Sequence, residues 1–310
     1  MTSEISRTFR CKAVITDVDG TLMPFGKNKK ISERNQQALQ KAFDEGLAVC
    51  VATGRIPGPW YDELCAQVPL GPGVFANGAL VLEPGPGPSP KILAASNLPA
   101  AAVEAVLEQT SGGRFGGLRI LVLAATMWEG SLRYVELAPE GPTWATDLIR
   151  SAGEPDTVLL PTLRPLKDVH KFVLFTLPEE DGWAAMADVV DSFQRSLAGT
   201  GVAILDCGPR QCEILPPEVN KGTGVKKLLE GLGLSLDSAL ACGDAENDVE
   251  MLEMVGLGIA VGDGKPKALA AADIVVSPST EDGVAEAIDI ALGRPGRLAE
   301  DEAPDSLLSV

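Results

Sequence analysis

The sequence predicts an α/β fold: an open, doubly wound parallel sheet interrupted by an inserted second α/β domain. Short apolar runs alternate with amphipathic stretches along most of the chain, the pattern of buried strands joined by helices. The first run, Ala13-Val14-Ile15, stops abruptly at Asp17-Val18-Asp19-Gly20-Thr21, and open sheets bind their ligands at such strand ends. The rhythm breaks at Glu83-Pro84-Gly85-Pro86-Gly87-Pro88-Ser89-Pro90, where alternating Pro and Gly sustain neither a helix nor a central strand. Beyond Pro216 it resumes in its first form. The expected organisation is a discontinuous core of residues 1–82 and 217–293, an insert of residues 83–216 that begins at an interdomain hinge, and a charged tail, 294–310, expected to fray.

The elements follow in order. Lys12 to Thr16 is the first strand. Ser32 can cap a helix running to about Glu45, with Ala38, Leu39, Ala42 and Phe43 on its apolar face and Gly46 as its stop. Leu47 to Ala52 is a second buried strand, ending in Thr53-Gly54-Arg55, and Pro59 suits the first turn of the next helix. Gly73 to Leu82 holds a short strand with a turn at Asn77-Gly78. In the insert, Pro99 to Thr110 is helical in period, and Leu118 to Ala125, Leu132 to Leu137 and His170 to Leu177 read as strands. Glu179 to Leu197 is a long helix striped by Trp183, Met186, Val189, Val190 and Phe193, followed by strands at Val202 to Asp206 and Gln211 to Leu215. The core resumes with a helix over Gly222 to Leu232, a strand over Ala239 to Cys242 ending in Gly243-Asp244, and a helix over Asn247 to Val255. Strands at Leu257 to Val261 and Ile274 to Val276, each with an Ala-rich helix after it, complete the pattern.

Composition narrows the function. The 310 residues carry a net charge of −17 with no basic run, which argues against tracking a nucleic-acid backbone. No apolar stretch is long enough to span a bilayer, and Met1 to Lys12 lacks the apolar segment of a secretory signal. Arg7 and Arg10 leave a short organellar presequence open, against which Glu4 and brevity speak. The six cysteines form no C-x-x-C pair, so reduced, mostly buried thiols in the cytoplasm are expected. The single histidine, His170, rules out histidine-rich zinc sites, and in a strand-like run it is expected to be structural rather than substrate-facing. Gly264-Lys265 lacks the upstream glycine of a nucleotide-binding P-loop.

Four separated segments then need one explanation. Asp17 and Asp19 follow the first strand and Thr53 the second; Lys221 opens a helix after the insert; Asp244, Asn247 and Asp248 follow a later strand. If those strands are parallel neighbours, the polar groups share one rim of the sheet. The set comprises a nucleophilic acid, an acid/base, a hydroxyl, a fixed cation and a carboxylate cluster. Phosphoryl transfer needs such groups, because charge spreads over the phosphoryl oxygens in the transition state. Carboxylates alone would repel a phosphate, and a Mg²⁺ ion resolves the conflict.

Asp17-Val18-Asp19-Gly20-Thr21, Ala52-Thr53-Gly54-Arg55, Asn220-Lys221-Gly222 and Gly243-Asp244-Ala245-Glu246-Asn247-Asp248 resemble the four ordered motifs of the haloacid dehalogenase (HAD) superfamily. Asn77-Gly78-Ala79, Glu213-Ile214-Leu215-Pro216, and the stretch from Ala272-Asp273 through Asp282-Gly283-Val284 extend the resemblance to its Cof-type sugar phosphatase branch. The resemblance implies a Rossmann-like core whose insert is a cap, and a Mg²⁺-dependent phosphomonoester hydrolase working through an aspartyl phosphate. It implies Asp17 as nucleophile and metal ligand, and Asp19 as acid/base that lends its backbone carbonyl to the metal. Thr53 and Lys221 would hold phosphate oxygens, with Gly54 in the same motif and Lys221 also restraining Asp17. Asp244 and Asp248 would complete the metal site. Asn247 is either near the site or only a helix cap, and Arg55 either faces phosphate or is a surface charge. One departure is Gly262-Asp263-Gly264, where the branch usually has Gly-Asn-Ala; Asp263 is expected to be peripheral. The implied substrate is a small phosphorylated metabolite, either a sugar phosphate or a phosphorylated cofactor such as flavin mononucleotide or pyridoxal phosphate. A phosphomutase, and a catalytically weak binding or regulatory protein on the same scaffold, are the alternatives.

Overall fold

A computed structural model describes residues 9–25, 30–83, 90–110, 114–115, 118–137, 143–160, 166–177 and 182–293. The chain forms two compact units, one drawn from Met1–Val51, Val68–Gly71 and Leu232–Val310, the other from Ala52–Gln67 and Pro72–Gly231. Residues 52–67, 72–82 and 217–231 thus group with the insert rather than with the parallel sheet. Residues 84–89 of the expected hinge Glu83–Pro90, and the tail, 294–310, lie outside the described residues.

The first unit is built on a five-stranded parallel sheet in the order Ile274–Val276, Leu257–Val261, Ala239–Gly243, Ala13–Thr16, Ala48–Val51. Its central strands are buried along their whole length, as expected where helices cover a parallel sheet. Strand order runs outward in both directions from the junction of Ala13–Thr16 and Ala239–Gly243. That junction is therefore the topological switch point, where ligands of open sheets bind beyond the carboxyl ends. Helix Glu33–Asp44 begins at Ser32, whose side chain accepts from the Asn35 N–H at 3.1 Å, and ends before Gly46 at φ +82°. Leu39 and Ala42 are buried as expected, but Phe43 is 51% exposed. Asn35 takes the buried position instead, because its Oδ1 accepts the Ala285 N–H at 2.9 Å where the Gly283–Ala291 helix begins.

The second unit holds a seven-stranded sheet. Its main path runs Ala203–Asp206, Gln211–Leu215, Val169–Thr176, Leu118–Trp128, Ser131–Leu137, Val158–Leu160, with Arg114–Phe115 paired to Leu118–Trp128. Strand alternation sends Val122, Ala124, Phe172, Leu174 and Ile214 to one face. There they pack with Val103 and Val106 of helix Ala100–Gln109 and with Met186, Val189 and Phe193 of helix Gly182–Ser196. Trp183, expected in the same stripe, lies outside the residues whose side chains are described. Lys171, Val173, Glu213 and Tyr134 alternate to the opposite face.

A smaller antiparallel sheet, Gly73–Phe75, Leu80–Glu83 and Lys91–Ala95, turns at Ala76–Gly78. Helix Trp144–Ser151, absent from the sequence expectation, is opened by a capping box between Thr143 and Thr146. Both of those hydroxyls donate to the buried Glu136 carboxylate. Among the described residues no helix is long and apolar enough to cross a membrane.

Candidate active site

Asp17 directly continues the Ala13–Thr16 strand, and its N–H still bonds the Cys242 carbonyl at 2.9 Å. Asp244 stands one residue past the neighbouring strand. Sheet register alone therefore brings these acids, 227 positions apart in sequence (244 − 17), to one rim. Asp248 joins them from the short turn Glu246–Asp248. Its Oδ2 accepts the N–H groups of Asp244 at 3.0 Å and Ala245 at 2.9 Å, so the carboxylate locks its own loop. One oxygen from each of Asp17, Asp244 and Asp248 lies within 4.8 Å of the others, and all three residues are buried.

The surroundings fix the cluster further. Thr21 Oγ1 donates to Asp244 Oδ1 at 2.8 Å, and the Lys265 N–H holds the Asp244 carbonyl at 2.6 Å. Gly20 sits at φ +88°, and a Cβ there would stand 2.6 Å from Asp244 Oδ2; both the turn and the close approach require glycine. Asp19 is half-buried and lies outside the trio of converging side chains. Asn247, in the same turn as Asp248, is also half-buried. Asp263 is committed elsewhere: its carboxylate accepts the N–H and the hydroxyl of Ser279, both at 2.7 Å. It ties together the loops that follow strands Leu257–Val261 and Ile274–Val276.

Three buried carboxylates sharing so small a space repel one another unless a cation or a proton intervenes. All the donors are hard oxygens, which suits Mg²⁺ or Ca²⁺ rather than a thiolate-seeking metal. The residues present therefore fit the divalent ion that the motifs imply.

In the second unit, Thr53 is buried and its motif is held along the backbone. The Thr53 N–H bonds the Val74 carbonyl at 2.9 Å, while the Asn77 N–H bonds the Thr53 carbonyl at 3.0 Å. Gly54 and Arg55 are half-buried. The Arg55 guanidinium donates to the Ala152 carbonyl at 2.9 Å and lies 5.1 Å from the Trp60 ring. Lys221, 1% exposed, is the first residue of helix Lys221–Leu232. Asn220 caps that helix by accepting the Thr223 N–H at 2.8 Å, and its own N–H bonds Thr223 Oγ1 at 3.1 Å.

Sequence reasoning missed several polar residues of this unit. Lys171 is 2% exposed and pairs with Glu213 at 2.8 Å. Its signal was available: a lone lysine inside the apolar run Val169–Thr176. His170, its neighbour, is buried with Nδ1 3.2 Å from the Ser96 carbonyl, in keeping with a structural role. Glu154 is 8% exposed and accepts the Ile56 N–H at 3.2 Å.

Burial pushes the Glu154 carboxyl up to about 7, with Glu213 adding to the rise and Lys171, Arg55 and the Ile56 N–H opposing it. A carboxyl raised on folding binds its proton more tightly in the native state, so stability falls as pH rises from about 4.5 to about 7 and then levels off. Glu154→Gln keeps an acceptor for Ile56 and removes that slope. At pH 8 the variant should exceed the parent's stability by up to about 3 kcal/mol, with the two converging near pH 5 in urea titrations. Parallel stability–pH curves would show that Glu154 titrates normally.

The sequence model of the haloacid dehalogenase-like hydrolases matches residues 14–288. Over 291 residues the chain is 30% identical to the chloroplastic endoribonuclease YBEY of Arabidopsis thaliana, a match that takes in 89% of this chain but 45% of that protein. It is 27% identical over 291 residues to the 5-amino-6-(5-phospho-D-ribitylamino)uracil phosphatase YitU of Bacillus subtilis, across 88% of this chain and 94% of the relative. Among solved structures, a HAD/COF-like hydrolase from Plasmodium vivax shares the fold at a TM-score of 0.76 and 20% identity, covering 94% of this chain and 99% of its own. With the acid-lined switch point in place and a family match running through nearly the whole chain, the protein belongs to the haloacid dehalogenase-like hydrolases of the Cof type, a phosphatase-bearing family of enzymes.

Proposed function

We propose that the protein is a Mg²⁺-dependent phosphomonoesterase that hydrolyses a small phosphorylated metabolite through a phosphorylated Asp17. The observation that carries this reading is the convergence of Asp17, Asp244 and Asp248 at the sheet's switch point. Asp17, Asp244, Asp248 and the backbone carbonyl of Asp19 would hold the ion. When bound, it neutralises the acids and the incoming phosphate, so that a carboxylate can approach a phosphoryl group.

A carboxylate oxygen of Asp17 attacks phosphorus and forms the aspartyl phosphate. The Asp19 carboxyl protonates the departing alkoxide. Asp19, now ionised, takes a proton from water, whose oxygen attacks phosphorus and frees Asp17 and inorganic phosphate. Thr53, Gly54 and Lys221 are assigned to the phosphate oxygens, Lys221 as the fixed cation. Arg55 is committed to Ala152 and Trp60 in the second unit, which favours a structural role for it. The insert, residues 83–216, serves as the cap that selects the leaving group and excludes water.

The YitU relative acts, by its name, on a ribityl phosphate that carries an aminouracil ring, which keeps both sugar phosphates and phosphorylated cofactors in the substrate class. A net charge of −17 suits small solutes rather than nucleic acid. All six cysteines are free, and burial pushes the thiols up, Cys50 to about 12, which is compatible with a reducing, cytoplasm-like compartment.

The test is hydrolysis of p-nitrophenyl phosphate and a panel of phosphorylated metabolites, with release of inorganic phosphate as the readout. Chelation by EDTA should lower the rate at least ~100-fold, and added Mg²⁺ should restore it. Full activity after exhaustive chelation would remove the metal from the mechanism. Interconversion of two isomers of a sugar monophosphate without net phosphate release would favour a mutase.

A further inference from the structure

Much of the backbone around the Thr53-Gly54-Arg55 motif is tied down within its own unit. Thr53 N–H bonds Val74, Thr53 C=O receives Asn77 N–H, and Arg55 C=O receives Ala76 N–H at 2.9 Å. Ile56 N–H goes to Glu154. The Gly54 carbonyl receives the Nζ of Lys171 at 2.7 Å, from the middle of the insert 117 residues away.

That lysine is prepared for the task. It is 2% exposed, bonds Glu213 Oε1 at 2.8 Å, and lies 5.9 Å from the Tyr134 ring. The other Glu213 oxygen accepts Asn77 Nδ2 at 2.9 Å. Asn77 is therefore joined to the motif twice: by its N–H to Thr53, and by its side chain through Glu213 and Lys171 to Gly54. Ala76 and Asn77 both adopt left-handed backbone, at φ +50° and +53°; asparagine tolerates that conformation, whereas alanine holds it at a cost that its surroundings must offset.

We infer that Lys171, with Glu213 as its counter-ion, is a positioning residue that fixes the Thr53-Gly54 segment for phosphate binding. The inference rests on the phosphatase reading above for what the segment does. A buried ion pair is weak evidence for stability, since an apolar pair often replaces it without loss, whereas removing one partner strands a charge. The pair's value here lies in the third bond, from Lys171 to a backbone carbonyl of the motif, which a hydrophobic replacement cannot make.

Two variants separate positioning from folding. Lys171→Met leaves Glu213 without its cation and should lower Tm. Adding Glu213→Gln removes the stranded charge while keeping an acceptor for Asn77, and should recover most of that loss. In both, kcat for p-nitrophenyl phosphate should fall about 10- to 100-fold, the cost of a small misplacement of a binding group. Amide hydrogen exchange at Ala76 and Asn77 should quicken in both, because those N–H groups bond the motif's carbonyls. The inference is overturned if the double variant matches the parent in kcat and in exchange at those amides. It is also overturned if kcat falls while exchange is unchanged. Should the parent itself release no phosphate from any ester, the functional reading fails; the clamp then stands or falls on the exchange rates alone.

Discussion

Asp17→Asn should give a folded protein with no detectable turnover. The substitution preserves shape, and residue 17 is held by its backbone N–H on Cys242 and by the strand that precedes it. What changes is chemistry. An amide oxygen is a poor nucleophile, and the amide N–H₂ is a donor placed among acceptors. Removal of a covalent nucleophile costs on the order of 10⁵-fold in kcat, which is below most assay floors. Stability should move the other way in metal-free buffer, because one of three mutually repelling buried carboxylates is gone. The variant's Tm without Mg²⁺ should therefore equal or exceed that of the parent, and the stabilisation that the parent gains from Mg²⁺ should shrink. Turnover within tenfold of the parent would take Asp17 out of the reaction. A collapsed Tm would mean instead that the carboxylate is structural.

Much of the fold was legible because the governing signals are local. A parallel strand covered on both faces is a continuous apolar run, so the five core strands stood out, and the acids at their ends were visible as interruptions. The meeting of Asp17 with Asp244 and Asp248 followed from one assumption, that the first strand and the strand before Asp244 are parallel neighbours, and their ladder pairs Thr16 with Cys242. The illegible parts depend on distant partners. Nothing near Glu154 announces that its acceptor role is to Ile56, 98 residues earlier. Nothing near Asn35 shows that it will be buried against Ala285 while Phe43 stays exposed. Helix Trp144–Ser151 was overlooked because its apolar stripe is short; Ala145 and Ile149 are its buried hydrophobic positions. Its start was announced by the hydroxyl at Thr143, a capping signal that needed no tertiary knowledge. Asp263, the one departure from the branch pattern, is explained by Ser279, a contact between two loops that no local rule predicts.

Gly78→Ala should be among the most damaging single-methyl changes in the chain, and Gly46→Ala should be mild, although both glycines have positive φ, +101° and +82°. Left-handed backbone alone costs alanine about 1–2 kcal/mol relative to glycine. At Gly46 that is the whole effect, since no atom lies within 4 Å of an added Cβ. At Gly78 the Cβ would press into the Asn220 carbonyl and come within 2.7 Å of its carbon, and backbone cannot rotate aside as a side chain can. Gly224, on the next helix turn, closes the other side, with its own Cβ position 2.7 Å from Gly78 Cα. The turn and the helix must therefore separate. The expected loss is on the order of 3–5 kcal/mol, read as a large fall in urea midpoint with m unchanged, or as insoluble expression. The damage should also reach activity, since Asn220 caps the helix that opens with Lys221, and Asn77 braces Thr53. In whatever fraction folds, phosphate affinity should drop, whereas Gly46→Ala should leave kcat and KM at parental values. Equal destabilisation by the two substitutions would show that the turn yields without cost and that the close approach at Asn220 constrains nothing.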